Sequence, residues 1–180
     1  MAQAKKKKKF FNVEIPLIRK ETQLQAFEVK ELDNRYIKYD MTRILKGKSA
    51  ILTIKIKVNG DEVLALPTEL RLLPSYLRRM VRRGTNYVED SFSTDSKDFQ
   101  IRIKPFLITR RKVSREVRKA LRNKTKEELE SWAKELSVEK VFDEVLKGKI
   151  QKELSVKLKK IYPLSLCEIR VLKVEKERKG

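Results

Sequence analysis

Between Ile108 and Lys124 the chain reads ITRRKVSREVRKALRNK, which gathers Arg110, Arg111, Lys112, Arg115, Arg118, Lys119, Arg122 and Lys124 around one acid, Glu116. A second cluster, Arg78, Arg79, Arg82 and Arg83, lies in SYLRRMVRR, and Lys5, Lys6, Lys7, Lys8 and Lys9 form a run near the N-terminus. The chemistry open to such groups is anion binding. A guanidinium offers a planar fork that matches phosphate oxygens and can stack on aromatic planes. Folding alone does not require the clustering, because like charges at i, i+4 spacing slightly destabilise a helix. These residues, from the lysine run to Arg122, are the candidate binding set.

Bond-making chemistry has little to work with. The sequence contains no histidine, which removes the commonest general base, the histidine-containing nucleophile pairs and imidazole metal ligands. The single Cys167 lies in the apolar, strand-like run LCEIRVLKV and reads as a packed thiol. Five glycines form neither GxGxxG nor GxxxxGK[ST]. Asp95 and Asp98 lack a third ligand and read as turn chemistry. The expectation is a protein without catalytic residues, metal or cofactor.

Composition narrows the partner. At 180 residues with a 40% hydrophobic fraction, the chain can bury a real core. Lys and Arg outnumber Asp and Glu by 45 to 25, a net charge of +20. A field of that size repels itself unless a polyanion is near, and nucleic acid is the usual one. No apolar stretch approaches a spanning helix, and no apolar segment of leader type follows the lysines. The reading is a soluble, cytoplasmic protein that does not engage a membrane.

The elements that must position the cations follow from periodicity. Residues 1–9 read as a disordered basic tail, and Phe10 to Ile15 as an extended segment stopped by Pro16. Residues 35–41 alternate as a strand. In Ala50 to Val58, Leu52, Ile54, Ile56 and Val58 share one face, and Asn59-Gly60 signals a hairpin into Glu62–Leu66. Pro74 and Gly84 bracket a helix with Leu77, Met80 and Val81 buried and Arg78, Arg79, Arg82 and Arg83 outside. Two β segments, 85–94 and 97–109, follow.

Beyond them the period becomes helical. With Ser114 as N-cap, Val117, Ala120 and Leu121 form the apolar stripe, and Arg115, Arg118, Lys119 and Arg122 fall opposite. Thr125 and Glu128 stand at capping-box spacing, so KEELESWAKEL reads as a helix start or restart with Leu129, Trp132, Ala133 and Leu136 inside. Ser137 introduces another short helix. Ile150, Leu154, Leu158 and Ile161 continue at helical spacing to Pro163. Leu166 to Val174 is a final strand expected to return to the sheet of the first half. The fold class is therefore α+β: one domain over 10–174, β-rich over 10–109, helical over 113–162, with a strand at 165–174 and a charged tail at 175–180.

Arginine-dominated clusters favour RNA contacted through phosphates and shape, since neither zinc-finger spacing nor an RNP1 motif is present. The order of IQKELSVKLKKIYPLSLCEIRVLKV (150–174), NRYIKYDMTRI (34–44) and MVRRGTNYVEDSFSTDSKDFQIRIKPFLITRRK (80–112) resembles the archaeal and eukaryotic small-subunit ribosomal protein family S-three-A-e, also named e-S-one. The resemblance covers Phe10 to Lys176. It departs at Phe10-Phe11, where the family often has tryptophan, and in a shorter basic loop before Val117.

That resemblance implies a β-barrel-like core of antiparallel strands with helices, bound to small-subunit ribosomal RNA on the platform near the messenger exit. It also implies neighbouring ribosomal proteins as partners, with messenger RNA and initiation factors within reach. The competing reading is an RNA-binding assembly factor or RNA chaperone that visits the particle transiently. An RNA-modifying enzyme would need a cofactor motif that the sequence does not show.

Overall fold

The computed structural model describes residues 7–45, 47–60 and 62–177, apart from the side chains of Glu62 and Glu177. Lys5 and Lys6 of the lysine run, and residues 178–180 of the charged C-terminal tail, lie outside the described residues. Two compact units emerge: one holds residues 7–39 and Thr53–Thr68, the other Asp40–Leu52 and residues 69–177.

In the first unit, β1 (Lys9–Ile15) and β2 (Lys20–Ala26) form an antiparallel pair with Lys9 opposite Ala26 and Ile15 opposite Lys20. Arg19 takes a φ of 51° in the turn between them. The strand β2 has no counterpart in the sequence reading. A short 3-10 turn, Val29–Leu32, buries Leu32 and leads to β3 (Tyr36–Asp40). Asp33 and Asn34 tie this turn to β4 (Ala50–Asn59): Val58 N–H donates to the Asp33 carboxylate at 3.1 Å, and Asn34 N–H donates to the Ile56 carbonyl at 2.9 Å. Leu52, Ile54 and Ile56 are fully buried while their strand neighbours are not, the period-2 burial that the alternation dictates. Val58, expected on the same face, is only half-buried.

The hairpin partner β5 (Glu62–Leu72) runs well past the expected Leu66, through Pro67. Gly60, at a φ of 64°, takes the turn position where a left-handed backbone is required.

The second unit is organised on β8 (Phe99–Thr109), which pairs along one side with β9 (Leu164–Glu177) and along the other with β6 (Tyr87–Glu89) and β7 (Phe92–Asp95) in succession. The final strand does return to the sheet: Glu69–Arg71 of β5 pair with Val171–Lys173 of β9. Pro105 sits at a register shift in β8, where the ladder does not need its missing N–H. The strand order β3-β4-β5-β9-β8-β6 has two ends. The sheet is therefore open, and the barrel-like closure expected from the resemblance is not present: closure would require a ladder joining those ends, and none exists among the described residues.

Four helices complete the unit: α1 (Pro74–Met80), α2 (Arg115–Glu135), α3 (Val138–Lys147) and α4 (Lys149–Leu158). Gly148, at a φ of 70°, ends α3 and starts α4. The α+β class, the antiparallel strands and the helical segment before a returning strand all stand as the sequence implied.

Candidate nucleic-acid interface

The first arginine cluster is split by the end of α1. Proline at its first position and buried Tyr76 and Leu77 anchor the helix, leaving Arg78 and Arg79 exposed, with the Arg79 guanidinium 5.9 Å above the Tyr76 ring. The sequence expects this helix to continue through Arg83. Instead Val81 is extended and exposed, so only Leu77 of the expected stripe is fully buried. A β-branched residue three positions before Gly84, itself at a φ of 83°, makes an early stop inexpensive. Arg82 and Arg83 thus lie in a tight turn, closed by Thr85 donating from N–H and Oγ1 to the Arg82 carbonyl.

The segment after this turn brings the two clusters together. Asn86 and Thr109 are hydrogen-bonded to each other: Thr109 N–H donates to the Asn86 carbonyl at 2.9 Å, and Asn86 N–H donates to the Thr109 side-chain Oγ1 at 3.0 Å. The Asn86 side-chain oxygen also accepts from Val113 N–H at 2.9 Å. Arg82 and Arg83 therefore leave one side of the joint, and Arg110, Arg111 and Lys112 leave the other, all of them exposed. No local pattern reveals this meeting, because it depends on the β6–β8 register that sets Tyr87 opposite Ile108.

The chain then enters α2, where Ser114 caps the helix by accepting from Val117 N–H, as its position predicts. The helix runs unbroken to Glu135, and Thr125 does not restart it. Its hydroxyl donates to the Leu121 carbonyl one turn back, which ties it into the helix interior. Leu121, Thr125, Leu129 and Ala133 are the buried stripe. This i, i+4 row is rotated from the expected one: Val117 is only half-buried and Ala120 is exposed.

The rotation changes two assignments. Arg118 is half-buried, and its Nε is fully enclosed with no hydrogen-bond acceptor. Arg122 stays exposed but donates from Nε to the Glu89 carbonyl of β6 at 3.3 Å. Only Arg115 and Lys119 stand clear of the sheet as the sequence reading expected of all four.

The clustered cations carry no ion pairs among the described residues. Among the described residues, the salt-bridged bases are Lys48, Arg71, Arg102, Lys124, Lys126, Lys147, Lys157 and Arg170. None of the clustered residues Arg78, Arg79, Arg82, Arg83, Arg110, Arg111, Lys112, Arg115, Arg118, Lys119 or Arg122 is among them. An unscreened concentration of guanidinium groups is suited to a multivalent anion. Lys7, Lys8 and Lys9 are exposed and belong to the other unit, where Lys8 lies 5.7 Å over the Phe27 ring.

Sequence reasoning passed over two features near the joint. Thr109 also aligns with Leu164, the first residue of β9, so exposed Lys159 and Lys160 precede that strand by only a few residues. Tyr87, next to Asn86, is 55% exposed. Elsewhere the readings of inert residues agree with the structure. Trp132 is half-buried and donates to the Glu144 carboxylate at 2.7 Å. Cys167 is buried and free, and burial pushes its thiol up to about 12, helped by Glu168 and opposed by Lys48. No helix among the described residues is long and apolar enough to cross a membrane.

The Ribosomal S3Ae family matches residues 2–178. Small ribosomal subunit protein eS1 of Methanothermobacter thermautotrophicus is 28% identical over 173 residues, 91% of this chain and 88% of that protein. The protein of the same name from Nanoarchaeum equitans is 28% identical over 183 residues, 97% of this chain and 92% of its own. That of Saccharolobus islandicus is 30% identical over 179 residues, 95% and 86% respectively.

Proposed function

This chain belongs to the Ribosomal S3Ae family, and from that premise we propose that it is a structural constituent of the small ribosomal subunit that binds ribosomal RNA through its unpaired arginines. The observation that carries the RNA contact is the meeting of Arg82–Arg83 with Arg110–Lys112 across the Asn86–Thr109 joint, all without acidic partners among the described residues. Phosphates would replace the missing acids and relieve the mutual repulsion of the cluster. Association with neighbouring small-subunit proteins, with the N-terminal lysines reaching RNA, belongs to the same proposal. So does a place on the platform near the messenger exit, with messenger RNA and initiation factors close by.

Counterion release makes the RNA contact measurable. With roughly six phosphate contacts to duplex RNA, affinity should fall about a thousandfold between about 50 and 200 mM salt. A nearly flat salt dependence would assign the cations to another partner. A stable constituent stays with small subunits through a high-salt wash and sedimentation, whereas loss in the wash would favour the transient assembly-factor reading.

A further inference from the structure

Tyr87 differs from every other aromatic in its unit. Among the described residues of that unit, no other aromatic side chain is as open to solvent as its 55%. Its ring is not a loose surface group. It stacks on Phe106 with centroids 5.9 Å apart and planes 20° from parallel, and Phe106 is itself 3% exposed. The backbone beneath it is fixed twice, by the pairing of Tyr87 with Ile108 and by the hydrogen bonds that lock Asn86 to Thr109 and Val113. The ring is therefore held in place from below, with much of its surface left in water.

Its surroundings select the ligand. Arg82 and Arg83 precede it by a few residues, and Arg110 and Arg111 follow the residue that Asn86 binds. The acid on its own strand face, Glu89, is engaged by Arg170 at 2.9 Å. A hydrophobic partner would meet unpaired guanidinium groups nearby in the fold, and a bare phosphate would gain nothing from the aromatic face. A nucleotide uses both, because its phosphates lie on the arginines while its base covers the ring.

We propose that Tyr87 is a stacking platform for one unpaired base of an RNA whose backbone lies on Arg82, Arg83, Arg110 and Arg111. This rests on the RNA-binding reading proposed for the chain and specifies it: the joint takes a loop or bulge in preference to an uninterrupted duplex.

The test uses the full chain and two RNAs sharing one stem, a hairpin with 2-aminopurine in its loop and a blunt duplex. With wild-type protein, binding should quench 2-aminopurine fluorescence. Tyr87→Ala should lower hairpin affinity by roughly 5- to 150-fold and remove the quench, with duplex affinity unchanged. Tyr87→Phe should retain both. Thermal unfolding checks each variant, and Tyr87→Leu, which keeps apolar cover on Phe106 without an aromatic face, replaces the alanine variant if that one is unfolded. Unaltered hairpin binding by the ring-less variant, or an equal loss on hairpin and duplex, would overturn the platform. Arg110→Gln with Arg111→Gln should weaken both RNAs. If that double change weakens neither, the RNA-binding reading itself fails, whereas its success beside an inert Tyr87→Ala would sink the platform alone.

Discussion

From Arg115 to Arg122, helix α2 sets Arg115, Arg118, Lys119 and Arg122 against the single acid Glu116. From Lys124 to Glu135, it sets Lys124, Lys126 and Lys134 against Glu127, Glu128, Glu130 and Glu135. Both stretches belong to one continuous helix over one buried stripe. In the second, Lys124 bridges Glu127 and Glu128 at 3.2 Å, Lys126 reaches Glu130, and Lys157 of α4 meets Glu128 at 2.6 Å. In the first, no ion pair forms among the described residues. Arg115 and Arg118 also sit in the first turn of the helix, where the macrodipole favours negative charge. Local electrostatics thus stabilises one half and opposes the other. Charge kept against local preference fits the RNA partner proposed above, and the number of cations alone would not have distinguished the halves.

The largest effect should come from the seam that both halves share. Leu121 and Leu129 are fully buried, so Leu121→Ala and Leu129→Ala should each lose roughly 2–5 kcal/mol in urea denaturation. A loss well under 1 kcal/mol at Leu121 alone would mean that the arginine half is not packed, and the contrast between the halves would dissolve.

Next comes the charge itself. Arg115→Gln with Lys119→Gln removes two exposed cations at nearly constant helix propensity. Thermal stability should hold or rise slightly, while the salt slope of duplex RNA binding should fall by about 0.9 for each cation that meets a phosphate. A drop in stability with an unchanged slope would make these two cations structural.

Arg118 breaks the symmetry within its own half, because its Nε is enclosed without an acceptor. Replacing a buried unsatisfied donor with an apolar group of similar shape is neutral or stabilising, on the order of 1 kcal/mol. Arg118→Met should therefore keep or raise the melting temperature, and calorimetry showing a clear fall would place a hydrogen-bonding role on that guanidinium within the fold.

Those separate roles within one cluster mark what the sequence could and could not disclose. The strands β3, β4 and the first half of β8 were legible because alternation over five or more residues leaves one burial solution, and β9 was legible as an apolar run. The strand β2, KETQLQA, was not, since Thr22 and Leu24 are only half-buried and supply little contrast with their neighbours. Pro67 masked the second half of β5, because a proline inside a strand reads as its end. Thr125 looked like a cap because a threonine hydroxyl serves a helix start or an i−4 carbonyl equally well, and only the burial of its helix face decides. For the site, the arginine clusters were visible as composition. Their meeting was not: it depends on pairing between residues 23 apart in the chain, and no local periodicity encodes that register.

The smallest expected effect lies in the paired half. Hydrogen bonds from Lys157 and then Lys124 hold the Glu128 carboxyl below its ordinary value, against a weaker opposing effect of burial. A carboxyl depressed in the folded state contributes stability above its unfolded value, about 4.3, and loses it as pH falls through the lower folded value. Glu128→Gln should therefore be slightly less stable than wild type near neutrality, by up to about 1 kcal/mol for pairs this open to solvent, and the gap should close in acid. Salt gives the sharper contrast. Screening weakens attraction in this half, so added salt should narrow the gap between wild type and Glu128→Gln. In the arginine half, screening relieves repulsion, so the same salt should remove any advantage of the Arg115→Gln, Lys119→Gln protein. Melting curves for the three proteins at low and high salt decide it: shifts of the same sign in both halves would show that α2 treats all its charge alike.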